Sequence, residues 1–208
     1  MKNNILETLF VGIDVSSKTN VLCALDFSGN KLLNLKALNN QPGAKSLLDS
    51  VLGCLNSNSL KYVVIALEST SFYSTHIANF LASNELLLAY KPLVYCLNPK
   101  TIHNYRKSFV DMDKTDPLDA YIIADFARCG RITSQPWRGA QFLALQRLTR
   151  HRLHLVECIT REKTYMVSNI YLKFSELAVL DKKDRPFSNS YGVTSAAVLT
   201  DFLSLDDI

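Results

Sequence analysis

Apolar residues along this chain fall first into runs and then into helical spacing, and the two patterns alternate. Leu9 to Val15 is a near-continuous apolar run that predicts a buried strand, and Val21 to Asp26 predicts a second. Ser28-Gly29-Asn30 is a turn signal, so Lys31 to Leu38 is expected to return as the third strand of a meander. Pro42 then opens a helix in which Leu47, Leu48, Val51, Leu52 and Leu55 recur on one face. Tyr62 to Leu67 is an uninterrupted apolar run, as expected for a central strand covered on both sides. Ile77 to Leu81 falls on a second helix and Leu86 to Tyr90 on a further strand. Asn98-Pro99 begins a polar, basic connection, and a third helix spans about Pro117 to Arg128. A meander followed by alternating helices and strands predicts an α/β fold, a mixed sheet with helices on both faces.

The character changes at Gln141. Leu145, Leu148, Leu155, Ile159 and Met166 fit the a and d positions of a heptad seam, which Arg152 and Glu162 interrupt. No Gly or Pro occurs between Gly139 and Pro186, so the region reads as one long helix or two. It either packs against its own domain or forms a dimerising or nucleic-acid-binding coiled coil. The Asp181 to Pro186 segment is a polar linker, and Ser195 to Leu205 looks like the first helix of a further element. Expected boundaries are 1–137 for the α/β domain, 138–180 for the helical segment and 181–208 for the linker and the start of that further element.

Composition narrows the class. With 208 residues, 48% apolar content and a net charge of +4, the chain has enough material for a core and is too apolar for disorder. No apolar stretch approaches the roughly 20 residues that span a bilayer, so a membrane partner is not expected. The first residues lead straight into a strand rather than a signal sequence. The five cysteines are scattered, with no C-x-x-C pair. That pattern suits reduced thiols in a cytoplasmic compartment and argues against a disulfide framework or a structural zinc site.

Four acidic residues carry candidate chemistry. Asp14 interrupts an apolar strand, where a carboxylate is costly unless paired or bound to a cation; alternatively it faces solvent at the strand end or caps the turn at Ser16-Ser17. Gly12 shares its face and is expected to leave space beside it for a ligand. Glu68 ends the other apolar run, at the strand terminus where α/β sheets place their chemistry; alternatively it opens a helix. In Lys114-Thr115-Asp116-Pro117-Leu118-Asp119-Ala120, Pro117 suits the first helical position, which makes Asp116 an N-cap and Asp119 the third helical residue. Spacing of three also turns both carboxylates to one face, so capping and metal binding are compatible. Four hard oxygen donors suit Mg²⁺ or Mn²⁺ rather than zinc, and two such ions about 4 Å apart promote phosphodiester cleavage.

These segments carry a resemblance. Val11-Gly12-Ile13-Asp14-Val15-Ser16, Leu67-Glu68-Ser69-Thr70, Asn98-Pro99 and the Lys114 to Ala120 motif resemble, in order and spacing, the RuvC-like domain of the insertion sequence 110 family of transposases, which includes the Piv invertases. The resemblance covers about residues 9 to 180, and the K-T-D-x-x-D-A motif is its specific element. It implies a ribonuclease H-like, metal-dependent nuclease domain of a DNA transposase or recombinase, with Asp14, Glu68, Asp116 and Asp119 as the acidic tetrad. It further implies a coiled-coil insertion at Gln141 to Phe174, DNA and an element-encoded guide RNA as partners, and a second domain carrying a serine nucleophile, which these residues do not include. Pro117 stands where the family often has a basic residue, a departure that touches no ligand.

Basic residues lie near these motifs. Lys100, His103, Arg106 and Lys107 surround Tyr105 shortly before Asp116. Between Arg138 and Lys163 six Lys/Arg, among them Arg147, Arg150 and Arg152, face only two acids. Each group reads as a phosphate-contacting surface or as a solvated face, and the long helix is also expected to join copies into a homo-oligomer. His151 and His154 are spaced for a metal but lack an evident third ligand, while Cys23 and Cys96 read as small core residues. An actin- or sugar-kinase-like ATPase half shares the Gly-Ile-Asp strand, but that fold needs glycine-rich phosphate turns, and no two of the seven glycines lie within eight residues. A non-catalytic nucleic-acid-binding or dimerising scaffold is the remaining alternative.

Overall fold

The computed structural model describes residues 4–69, 71–109, 116–181, 183–202 and 204, and it divides into two compact units, 1–143 and 144–208. The first unit is built on one five-stranded sheet. Strands β1 (Thr8–Val15), β2 (Thr19–Leu25) and β3 (Lys31–Leu38) form the expected meander. After helix α1 (Gln41–Ser57), strand β4 (Tyr62–Glu68) pairs parallel to β1 and becomes its other neighbour. Helices α2 (Ser74–Ser83) and α3 (Glu85–Leu88) lead to β5 (Leu93–Leu97), which adds parallel to β4. The order is β3-β2-β1-β4-β5, antiparallel in its first half and parallel in its second.

Side-chain alternation divides the sheet into two apolar faces. Leu9, Val11, Ile13 and Val15 of β1 join Val63, Ile65 and Leu67 of β4 against Leu47, Val51 and Leu55 of α1 and Ile77 and Leu81 of α2. On the opposite face Phe10, Val21, Cys23, Leu25 and Ala66 meet Ala120, Ile123, Ala124 and Ala127 of α5 (Asp116–Arg128). Burial on both faces explains why β1 lacks the apolar–polar alternation of a half-exposed strand. Asn40, whose side chain accepts from Gly43 N, caps α1, and Pro42 occupies its first turn as its fixed φ favours.

Two segments differ from the sequence expectation. Residues 86–90 are not a strand: Asn84 accepts from Leu86 N and starts α3, where Leu87 alone is buried while Leu86 and Leu88 face solvent. The strand lies beyond Pro92 instead. Likewise the connection after Asn98 is helix α4 (Pro99–Arg106), capped by the Asn98 side chain on Lys100 N, with Ile102 as its buried anchor. Its polar composition concealed a helix in which Ile102 is the one fully buried residue.

Gly12 is where the sheet and α5 come closest. A Cβ there would stand 2.2 Å from Ala120 O and 2.3 Å from Ala124 N, so the missing side chain admits helix backbone rather than the ligand expected from sequence. The Ala120, Ala124 and Ala127 row keeps that approach close along the helix.

The second unit contains most of α6 (Ala140–Lys173), a single helix of 34 residues, followed by α7 (Glu176–Val179) and α8 (Val193–Asp201). None of its described residues before Phe174 is buried, and Phe174 and Leu199 form its small apolar centre beside the Lys173 Nζ to Leu199 O hydrogen bond. Among the described residues no helix is long and apolar enough to cross a membrane.

Replacing Gly12 with Ala is expected to destabilise the chain by about 2–3 kcal/mol or more, because both obstructing atoms are backbone. Gly53→Ala, in α1 with nothing within 4 Å, is expected to stabilise it by about 0.5–1 kcal/mol. Paired urea denaturation curves check both.

Candidate acidic site at the strand ends

Asp14 is the penultimate residue of β1 and Glu68 the last of β4. Their strands run parallel with Gly12 opposite Ala66 and Ile13 opposite Leu67, which puts Asp14 and Glu68 one step beyond the last paired residues. Residues two apart share a face, so Asp14 lies on the side of Gly12 and Glu68 on the side of Ala66, the face that carries α5. Both are partly exposed at the edge of that face.

The direction of α5 brings a third carboxylate to the same end. At the helix C-terminus Arg128 Nη1 donates to Phe27 O at 3.1 Å, and Phe27 follows the end of β2 that pairs with the start of β1. The helix therefore runs opposite to β1, and its first turn overlies the end of the strand where Asp14 sits. Asp119 precedes Ala120, one of the two residues pressed on Gly12. Asp116 is the first residue of α5; its side chain, Lys114 and Thr115 lie outside the described residues, and so does the capping role read for it from sequence.

Asp14, Glu68 and Asp119 thus share one end and one face of the sheet. Among the described residues, no three of His, Cys, Asp and Glu are already close enough together to hold a metal ion. Asp119 instead forms an ion pair with Arg106, the last residue of α4, and both side chains are largely shielded. In the turn that follows, Ser16 Oγ accepts from Thr19 N at 2.9 Å and donates to Thr19 O at 2.8 Å. Asn39 Nδ2 donates to Ser16 O at 2.8 Å and fastens this turn to the start of α1.

Sequence reasoning missed the group that fixes α4 on α5. The Tyr105 hydroxyl donates to Asp125 Oδ2 at 2.7 Å, while Arg128 Nε and Nη2 reach Asp125 Oδ1 at 2.8 Å and 2.6 Å. Tyr105 packs edge-on against Phe126 and Phe109. Burial, then hydrogen bonding to Cys129 and Asp125, pushes the Tyr105 hydroxyl well above the ordinary tyrosine range. The hydrogen bond to Asp125 raises the Arg128 guanidinium. An acid inside the apolar run Tyr121 to Ala127, three residues before an arginine, was the available signal.

The other candidates are distributed. Lys100 and Lys107 are exposed on and just after α4, as is His103, and His76 is exposed on α2. Arg147, Arg150 and Arg152 are exposed on α6 in the second unit, with His151 and His154 in the same stretch. Cys23 is buried, and burial raises the partly buried Cys96 thiol to about 11.

A three-stranded meander extended by two parallel strands, with helices on both faces and carboxylates at the strand ends, defines a ribonuclease H-like domain. Residues 11–173 match the profile of the insertion sequence 110 DEDD family, described as transposase, and the chain belongs to that family. Among solved structures it is similar to Thermus thermophilus RuvC, at 17% identity and a TM-score of 0.41 over 62% of this chain and 99% of that one. T. thermophilus RuvC in complex with a Holliday junction substrate matches at 16% identity and 0.39, with the same coverage of each chain. The fold assignment rests on the strand order rather than on these likenesses. No curated protein matches the chain.

Tyr105→Phe is expected to cost about 1–2 kcal/mol, and Asp125→Ala about 2–3 kcal/mol because it strands Arg128. Since folding favours the neutral phenol, the stability that hydroxyl contributes is complete below pH about 10 and lost above it. Denaturation at pH 8 and pH 11 checks both, and Tyr105→Phe should lessen the alkaline loss.

Proposed function

We propose that this chain provides the metal-dependent nuclease part of a DNA transposase, with Asp14, Glu68, Asp116 and Asp119 holding Mg²⁺ or Mn²⁺ for phosphodiester cleavage and strand transfer. The observation that carries this reading is the arrival of Asp14, Glu68 and Asp119 from three different elements at one end of one sheet face. Membership of a transposase family supports it independently.

The donors fit a hard divalent cation, since all are carboxylate oxygens with no sulfur or imidazole among them. Neighbouring strands lie about 4.8 Å apart, which is close enough for Asp14 and Glu68 to repel each other when ionised and to share a cation. When bound, such ions supply polarisation of the phosphate and activation of the attacking oxygen. The protein's own residues do the positioning. Asp14 and Glu68 are held by the two buried central strands, and Asp119 by the close seating of α5 on Gly12. Lys100 and Lys107, exposed on and just after α4, present positive charge from the same unit to a nucleic-acid backbone. Arg106, paired with Asp119 in the absence of metal, is assigned to the same role. Arg147, Arg150 and Arg152 extend that role to the long helix, which is assigned to coiled-coil contact between copies and to DNA or guide RNA.

In this reading the segments divide as 1–137 for the nuclease domain, 138–180 for the helical segment, and 181–208 for a linker and the start of a further transposase domain, which supplies the serine.

Added Mn²⁺ or Mg²⁺ is expected to raise the melting temperature of the chain, and Asp14→Asn to abolish the shift. A chain without metal-dependent stabilisation would be a non-catalytic scaffold. Neutralising Lys100 and Lys107 together is expected to weaken DNA binding on every sequence tested. The slope of log affinity against log salt should fall by about one for each phosphate that is no longer neutralised, read by fluorescence anisotropy.

A further inference from the structure

We propose that Arg106 is a counter-cation built into the acidic site: it neutralises Asp119 while no metal is bound and is freed for a backbone phosphate when one is. This rests on the metal-site reading above and assigns a role to a residue outside the tetrad.

The ion pair joins two helices, from the last residue of α4 to the fourth of α5, with side chains 22% and 18% exposed. A pair so shielded is screened less by salt than the exposed Lys61–Glu7 pair, where the lysine is 65% exposed. Both ends are held firmly. Asp119 adjoins Ala120, whose carbonyl oxygen is seated on Gly12. Arg106 follows Tyr105, which is anchored on Asp125 and between the rings of Phe126 and Phe109. The guanidinium is thus delivered to Asp119 by a fixed backbone rather than by a mobile surface chain.

The chemistry comes from the anions that a guanidinium recognises. Its planar fork of donors fits a carboxylate and a phosphate alike. A divalent cation at the tetrad draws on the Asp119 carboxylate, whose Oδ1 Arg106 now engages, so cation and arginine compete for one anionic group. Displacing Arg106 leaves a partly desolvated positive charge at the edge of the site, and a nucleic-acid phosphate is the anion that satisfies it. Metal loading and DNA binding are therefore coupled through Arg106, and the coupling is reciprocal.

The test measures Mn²⁺ affinity of the full chain by isothermal titration calorimetry, with and without a short DNA duplex, for the unsubstituted protein, Arg106→Gln, Arg106→Lys and Asp14→Asn. Arg106→Gln is expected to bind Mn²⁺ about fivefold more tightly without DNA and to lose most of the enhancement that DNA gives the unsubstituted chain. Arg106→Lys, which keeps the charge without the fork, should fall between them, and it carries the test if circular dichroism shows Arg106→Gln misfolded. Asp14-dependent Mn²⁺ binding that neither Arg106 variant alters would overturn the role of Arg106 alone. Absence of Asp14-dependent binding in the unsubstituted chain would overturn the metal-site reading, and this proposal with it.

Discussion

The structure of the first unit depends on one close approach, that of the α5 backbone to Gly12 on the central strand. Sheets and helices ordinarily stand about 10 Å apart because side chains fill the gap, as sheet-on-sheet packing does. Here β1 has no side chain at Gly12, its neighbour β4 has only Ala66, and α5 answers with Ala120, Ala124 and Ala127. The contact is therefore backbone to backbone, with almost no freedom to slide. It fixes the height of the first turn of α5 against the ends of β1 and β4, and with it the relation of Asp119 to Asp14 and Glu68. A glycine two residues before an aspartate thus acts by admitting a helix.

Charge is managed along the same helix by two arginine–aspartate pairs. Near its C-terminus Arg128 and the Tyr105 hydroxyl satisfy Asp125, which is almost fully buried. Near its N-terminus Arg106 meets Asp119. The first arrangement is closed, because every strong donor and acceptor in it has a partner of matching geometry. The second is open to exchange, because carboxylate and guanidinium each have alternative partners in a nucleic-acid complex. Tyr105 and Arg106 are consecutive, so the closed arrangement orients the open one. The second unit obeys a different logic: α6 leaves Leu145, Leu148, Leu155 and Ile159 exposed, and hydrophobic residues at such spacing gain stability when another surface covers them.

Much was legible in the amino-acid order. Continuous apolar runs marked β1 and β4 as central strands, the Ser28-Gly29-Asn30 turn closed the meander, and Pro42 with its leucine spacing placed α1. Those signals are local, since each depends on a few neighbouring residues and the period of one element. The acidic residues stood out for the same reason, as charges inside or at the ends of apolar segments. Where local signals were weak, composition misled: residues 86–90 have strand-like character, yet the Asn84 side chain and a single buried leucine make a helical turn. The helix α4 was hidden because it buries only Ile102.

The sequence by itself therefore determined strands β1 to β4, helices α1, α2 and α5, and which carboxylates stand at strand ends. Its motifs also sufficed to indicate the family. Only the tertiary structure decided that Gly12 receives a helix, that α5 runs opposite to β1, and that Arg106 faces Asp119 while Tyr105 and Arg128 share Asp125. Each of these joins residues distant in the chain through interlocking shape or hydrogen-bond geometry. Periodicity reports what one segment presents to its surroundings; the packed fold settles which other segment meets it.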